Sequence, residues 1–296
     1  MEKPTLKARI DGCFTFLYDS SKGTVLGRGP RSWCEITVFY IIFFACLAGF
    51  FAATIAGFYQ TIEEHQPRLQ GTSSILRANP GMGYEPMPDM DTTLIYARKI
   101  EKERQAYVDS INKVLKAYNT TGLVSTDCTG INETRLDAKV PCRVNFTALT
   151  EGCNEANAYG MLEAKPCVLL KLNKIYNWIP AVWDVEEAQT ASAVPEYIKK
   201  KYTNDRIWVD CHGENPADDD NLGLDAITYY PQQGFPLAFY PYMNQKDYRS
   251  PLMFVKFNNV TNHLGLMIEC KALAKNIVVD RTDKEGGVHF ELLIDP

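Results

Sequence analysis

Between Ile36 and Tyr59 the chain runs for 24 residues without a charged side chain, ITVFYIIFFACLAGFFAATIAGFY. At 1.5 Å per residue such a helix is about 36 Å long, enough to cross a hydrocarbon core of about 30 Å with some tilt. A buried core helix rarely runs this far without a polar face. A cleaved secretory signal does not fit, because 35 mostly polar residues precede the run and it is longer than an ordinary h-region. The mean hydropathy of the 296 residues, −0.22, excludes a multi-pass membrane protein but accommodates one span. Apolar content of 46% and charged content of 23% exclude disorder throughout. A net charge of −5 leaves no positive surplus to meet nucleic-acid phosphates.

The flanks orient the span. Residues 1–35 carry six basic and four acidic residues, with Arg28 and Arg31 nearest the membrane. On the other side Glu63 and Glu64 come before the first cation, Arg68. Basic flanks stay cytoplasmic, so the expected arrangement is a type II single-pass protein with its N-terminus inside, and the plasma membrane is the location that the family resemblance described below implies. Trp33 and Tyr59 suit interfacial anchors. The chain then divides into a cytoplasmic segment 1–35, a membrane helix 36–59, a proline- and glycine-containing extracellular stalk 60–90, and an ectodomain 91–296.

Two further features divide the same way. Asn119, Asn132, Asn145 and Asn259 each begin an N-glycosylation sequon, and all follow the span. Cys13, Cys34 and Cys46 lie before or within it, where thiols stay reduced, whereas Cys128, Cys142, Cys153, Cys167, Cys211 and Cys270 form an even set on the oxidising side. Spacing alone permits 15 pairings, of which the sequential one is simplest.

Beyond the stalk, Ile95, Tyr107, Ile111, Val114, Leu115 and Tyr118 recur at steps of three and four, which predicts an amphipathic helix from Thr92 to Tyr118 capped by Thr92 or Thr93. After it the period becomes two, as in Met253, Val255 and Phe257, Ile268, Cys270 and Ala272, and Val288, Phe290, Leu292 and Ile294. A proline introduces another apolar run, Cys167 to Leu172. Short strands joined by Gly, Pro, Asn and Asp loops predict an antiparallel β-sandwich. The segment from Trp178 to Trp208 has no legible pattern.

Catalytic signatures are missing. The sequence contains no P-loop, GxSxG, CxxC or HExxH, and His65, His212, His263 and His289 are scattered, as surface or loop histidines are. Golgi glycosyltransferases share this topology and use Asp-x-Asp pairs for a metal-bound nucleotide, a form that Asp89-Met90-Asp91 has and Asp218-Asp219-Asp220 approaches. Both lie in polar turns, and the ectodomain lacks alternating strands and helices, so no catalytic residue, metal site or cofactor is expected. A type II cell-adhesion glycoprotein is the alternative of another class.

The membrane helix is sorted by size. Ala45, Gly49, Ala53 and Gly57 form a four-residue ladder beside Ala48, Ala52 and Ala56, while Tyr40, Phe43, Phe44, Leu47, Phe50, Phe51 and Phe58 occupy much of the remainder. Small ladders let a second helix approach closely in lipid, where packing drives association.

These residues, in order, carry a resemblance. Leu26-Gly27-Arg28, Ser32-Trp33, Phe39-Tyr40 and Cys46-Leu47-Ala48-Gly49 precede the six later cysteines, Lys165-Pro166-Cys167 and Lys171-Leu172-Asn173. Phe235-Pro236-Leu237, Tyr240-Pro241-Tyr242, Pro251-Leu252, Phe257 and Asn259 follow. Along nearly its whole length the chain resembles the β subunits of the Na⁺,K⁺-ATPase, with those of the H⁺,K⁺-ATPase as close relatives. The resemblance implies a non-catalytic subunit bound to a P-type α subunit that would itself carry ATP, Mg and the transported ions. It implies an immunoglobulin-like ectodomain, the sequential pairing of the cysteines, support of α folding and export, and modulation of potassium affinity or occlusion. A small single-span regulatory subunit and the lipid bilayer are the further partners it implies. It adds Tyr40 and Phe44 to the ladder as α-facing positions. Phe44 stands where the family commonly has a second membrane tyrosine, and Phe239 also replaces a tyrosine, so both keep the ring without the hydroxyl. The loop between Cys128 and Cys142 is short for the family. The Asp-Lys-Thr-Gly motif of α is absent, since Asp283-Lys284 continues with Glu285. Phe235, Tyr240 and Tyr242, in a segment stiffened by prolines, are expected to dock on an extracellular loop of α.

Overall fold

The computed structural model describes residues 16–63, 66–75, 78–98, 100–120, 122–136, 139–223, 226–282 and 285–296. Cys13, Glu64, His65, Thr121, Asp283 and Lys284, named above, lie outside the described residues. The chain forms two compact units, Met1–Glu64 and His65–Pro296.

In the first unit, β1 (Tyr18–Asp19) and β2 (Thr24–Val25) pair as a short antiparallel hairpin. Helix α1 (Pro30–Tyr59) follows. Pro30 occupies the first helical turn, where its missing N–H leaves no bond unmade. The Trp33 indole Nε1 donates to the Val25 carbonyl at 2.9 Å, tying the hairpin to the helix start. The helix ends at Tyr59, where the uncharged run ends, and begins one and a half turns before it. None of its residues is buried.

The second unit is mainly β. Its strands are β3 (Met82–Glu85), β4 (Leu94–Arg98), β5 (Cys167–Leu172), β6 (Arg206–Gly213), β7 (Ile227–Tyr230), β8 (Phe235–Pro236), β9 (Leu252–Phe257), β10 (Gly265–Leu273) and β11 (Gly287–Asp295). They form a five-stranded sheet in the order β4-β11-β10-β6-β8 and a four-stranded sheet in the order β3-β5-β9-β7. The sheets share one core, in which Tyr84 and Phe257 of the second reach Phe290 of the first at ring distances of 5.2 and 6.1 Å.

Three expectations need correction here. Helix α2 spans Glu101–Lys116, not Thr92 to Tyr118, because Leu94–Arg98 is drawn into a parallel ladder with β11. Ile95 and Ala97 alternate inward as strand residues, and Thr92 Oγ1 accepts from Leu94 N in a turn rather than capping a helix. The sheet is therefore not purely antiparallel. Part of the expected stalk is structure as well: β3 pairs with β5, and Met82 and Tyr84 are buried. Within α2, Val108, Ile111 and Leu115 face the core as their spacing predicts. Ser110 Oγ fastens the helix to β3 through Glu85 at 2.5 Å.

Strands β5 and β9 are buried on both faces, so their apolar residues run continuously rather than alternating. The outer cover comes from 146–164, where Leu149 and Met161 are buried and Tyr159 stacks on Phe254 at 5.7 Å. That segment turns sharply at Gly160, φ +78°, where an added Cβ would lie 1.9 Å from the Lys165 carbonyl oxygen. The illegible segment supplies a similar cover for the other sheet. Its short helices Val185–Thr190 and Glu196–Lys199 place Ala188, Val194, Ile198 and Tyr202 against Trp208 and Leu273.

The disulfides join Cys128 to Cys142, Cys153 to Cys167 and Cys211 to Cys270. The last pair links register partners on adjacent strands of one sheet, β6 and β10, with Cα atoms 4.0 Å apart. It closes a separation of 59 residues. In the loop-entropy account a loop of that length contributes about 4 kcal/mol. Replacing both Cys211 and Cys270 by serine should therefore lower the unfolding free energy by about that amount. Urea unfolding followed by tryptophan fluorescence would read it, and an unchanged midpoint would show that the strand ladder alone holds the pair.

Candidate functional site

On α1 the small and bulky sides are both exposed along the whole helix. Ala45, Gly49, Ala53 and Gly57 follow one another with about 40° of drift per step. A Cβ added at Gly49 or Gly57 meets nothing within 4 Å, so nothing among the described residues requires glycine there. Glycine in a helix interior nevertheless costs about 1 kcal/mol relative to alanine. On the bulky side Tyr40 stacks on Phe44 at 6.0 Å and Phe39 on Phe43 at 6.2 Å, while Phe43 and Phe44 meet edge to face at 5.4 Å. One side is a smooth channel, the other a set of mutually supported rings.

In the second unit the four sequon asparagines, Asn119, Asn132, Asn145 and Asn259, are exposed. Asn119 and Asn145 border one hollow, and Asn132 and Asn145 border a second beside it. Three acceptors thus share one region, next to the Cys128–Cys142 disulfide. Asn145 also caps a short helix, its Oδ1 accepting from Ala148 N at 3.1 Å.

The aromatic segment is mostly interior. Phe235 is fully buried on β8, and Tyr240 is 4% exposed with its ring edge-on to Trp178 at 5.6 Å. Burial pushes the Tyr240 hydroxyl pKa well up, and among the described residues that hydroxyl has no hydrogen-bond partner. Phe239 packs with Ala238 on the Cys128–Cys142 disulfide. Only Tyr242 of the three expected docking rings reaches the surface, half-buried, with Lys174 Nζ 4.8 Å from its centroid. Phe235 and Tyr240 are core residues: their alternating neighbours Gly234, Leu237 and Ala238 are buried with them.

Of the histidines, His212 and His289 are surface residues of strands, partly exposed on β6 and β11. His212 Nδ1 is 3.2 Å from Asp210, its Nε2 is 3.8 Å from Glu269, and Lys271 Nζ is 2.9 Å from the same Glu269. His289 Nδ1 is 2.7 Å from Glu214, which also pairs with Arg281. Tyr197 donates to Asp210 from the covering segment. The hydrogen bond to Asp210 raises the His212 pKa against the opposing effect of burial. Burial pushes Asp210 up, but hydrogen bonds from His212 and Tyr197 outweigh it and leave its pKa lowered. The signal was present in the sequence: Asp210 and His212 flank Cys211, and Glu269 and Lys271 flank Cys270, at the strand period. Among the described residues no His, Cys, Asp and Glu group is arranged to hold a metal ion. Asp89 accepts from Asp91 N in a turn, and Asp219 accepts from Gly213 N at 2.7 Å.

Two outcomes follow from this geometry. Tyr240→Phe removes an unpartnered hydroxyl and should leave stability within about 1 kcal/mol or raise it, whereas Tyr240→Ala should cost about 3–5 kcal/mol. Comparable losses from both in denaturant melts would mean that the hydroxyl is bonded in solution. The raised His212 pKa makes its stabilisation complete below the unfolded value near about 6.5 and lost as pH rises through the folded value. The gap in denaturation midpoint between wild type and His212→Gln should thus be widest on the acid side and close on the alkaline side. A gap independent of pH would show that His212 acts by packing alone.

The sodium/potassium ATPase beta chain family matches this chain over residues 3–290, a range that takes in α1 and every strand except the second half of β11. Sodium/potassium-transporting ATPase subunit beta-2 of Drosophila melanogaster is 36% identical over 297 residues, covering 94% of this chain and 90% of that protein. Probable subunit beta-3 of Caenorhabditis briggsae is 35% identical, over 98% of this chain and 88% of that one. Subunit beta-1 of Tetronarce californica is 30% identical, over 95% and 94%. The chain belongs to the sodium/potassium ATPase beta chain family, and so to the auxiliary, non-catalytic subunits of that P-type ATPase.

Proposed function

We propose that this chain assembles with a catalytic P-type α subunit, supports its folding and delivery to the plasma membrane, and tunes its potassium affinity or occlusion during Na⁺/K⁺ exchange. The observation that carries the reading is the small-residue side of α1. Gly49 and Gly57 weaken an isolated helix and relieve no clash among the described residues, so their use lies in admitting a second helix backbone. Family membership supports an α-subunit helix as that second backbone. Tyr40 and Phe44, stacked on the opposite side, offer a second contact to α or to a small single-span regulatory subunit.

The N-terminus lies in the cytoplasm in this reading, and the β-rich unit is an extracellular, immunoglobulin-like ectodomain glycosylated at Asn119, Asn132, Asn145 and Asn259. ATP, Mg and the transported ions belong to α. Tyr242, half-buried at the surface, is the one of the three expected docking rings left to meet an extracellular loop of α there. A change in potassium affinity requires contacts that differ between two states of the pump, so the potassium activation curve is the relevant observable.

Co-purification in mild detergent tests the assembly. Gly49→Leu should reduce the recovered α chain several-fold, while Phe51→Leu, on the bulky side, should leave it near wild type. Equal recovery from both variants would remove the ladder as the principal contact, and absence of any α chain from the wild-type preparation would refute the subunit reading. In the same cells, an N-terminal tag should be reached by antibody only after permeabilisation, and glycosidase should lower the apparent mass. Surface staining of the tag would reverse the orientation.

A further inference from the structure

Some cations of the second unit face carboxylates. Arg98 meets Glu103 and Asp295, Arg206 meets Asp205, Lys256 meets Glu163, Lys271 meets Glu269, and Lys275 and Arg281 meet Glu187 and Glu214. One hollow, of about 490 Å³, collects three that do not. Lys171, Lys174 and Arg249 line it, no aspartate or glutamate does, and among the described residues none of the three has a carboxylate within ion-pair distance. The surrounding unit is acidic overall, so this is a local inversion of sign.

Two of the three charges are held in place. Arg249 Nε donates to the Ala117 carbonyl at 3.2 Å, just past the C-terminal end of α2, and its Nη1 donates to the Tyr248 carbonyl at 3.1 Å. Neutral carbonyls fix the guanidinium without cancelling its charge, and they leave Nη2 unengaged among the described residues. Lys174 Nζ stands over the Tyr242 ring. Lys171 projects from β5, where its register partners are Gly83 and Leu252, neither able to neutralise it. Cations positioned before a ligand arrives lose little freedom when it binds.

The rest of the lining selects among anions. Tyr118 and Asn173 supply an aromatic ring and an amide rather than an apolar slot for a lipid tail, while Tyr248 is buried against Tyr242 beneath them. Burial pushes the Tyr118 hydroxyl pKa up to about 12, so it stays a neutral donor. Aromatic faces suit the C–H face of a pyranose, and amide and hydroxyl groups suit its hydroxyls. We propose that this hollow binds an acidic saccharide, its carboxylate held between Arg249 and Lys174 and its ring lying against Tyr118. The saccharide can come from a glycan of this chain, since Asn119 adjoins Tyr118, or from a neighbouring molecule.

The probe is 3′-sialyllactose, with lactose as its neutral control, added to the full-length chain in its assembled, detergent-solubilised form before and after enzymatic deglycosylation. Saturation-transfer NMR should show contact with sialyllactose and not lactose, weakening as salt is raised. Stronger binding after deglycosylation would identify the chain's own glycan as the resident ligand, and unchanged binding would point to an external one; both support the site. Lys174→Gln should weaken binding roughly tenfold, the loss expected for one charge-assisted contact. Arg249→Lys keeps the charge without the fork, and should weaken it less than Arg249→Gln. Equal signals from lactose and sialyllactose, no signal from either, or complete displacement by an equimolar glutamate hexapeptide would overturn the proposal.

Discussion

The antiparallel pairing of β6 with β10 organises the second unit. Six register pairs run from Gly213 with Ile268 to Trp208 with Leu273, and the Cys211–Cys270 bond fixes them covalently. Because successive side chains point to opposite faces, this register sends Val209, Cys211, Cys270 and Ala272 inward and Trp208, Asp210, His212, Glu269, Lys271 and Leu273 outward. A slip of β10 by one residue would drive Glu269 and Lys271 into the core and leave the cysteines unpaired. The outward row then divides in two. Trp208 and Leu273 form an apolar base for the covering helices, while the charged members neutralise one another across strands.

That arrangement explains what the sequence revealed and what it withheld. The inward period of β11 is plain because Phe290, Leu292 and Ile294 face the core while the residues between them stay partly accessible. Strand β5 hides its period because both faces are covered, and in β9 the alternation of Met253, Val255 and Phe257 does not separate core from solvent, since Leu252 and Phe254 are buried as well. The start of α2 was misread because Ile95 fits a helical spacing with later residues, while its strand partner, Leu292, lies almost at the other end of the chain. A local window contains no information about so distant a neighbour. The aromatic segment from Phe235 to Tyr242 failed for a related reason. Its prolines suggest an edge, which β8 is, yet the edge strand still turns Phe235 into the core. The surface sites follow the same division. Sequons are defined by adjacent residues and are readable directly, whereas the Asp210–His212–Glu269–Lys271 cluster needs the register of two strands to become visible.

In α1 the constraint is different. A membrane helix satisfies its own backbone, so sequence alone decides that it forms, and tertiary contacts decide only how its sides are used. The size-sorted sides were legible for that reason. What the structure adds is that glycine at 49 and 57 is unexplained by anything among the described residues, since each position has open space for a side chain. A residue that weakens the helix and relieves no clash among the described residues leaves room for the helix contact proposed above.

Register also accounts for the contrast between two lysines at equivalent depths in the two sheets. Lys271 stands opposite Asp210 and next but one to Glu269, so its charge is met on its own sheet face. Lys171 stands between Gly83 and Leu252, and its charge is left for something else to meet. Arg249 completes the contrast, because both of its bonds go to backbone carbonyls. Neither situation depends on overall composition, which is acidic, and both depend on which residues the strand pairing sets side by side. A domain with a surplus of carboxylates can therefore retain a positive hollow, provided that the register keeps those carboxylates away from it.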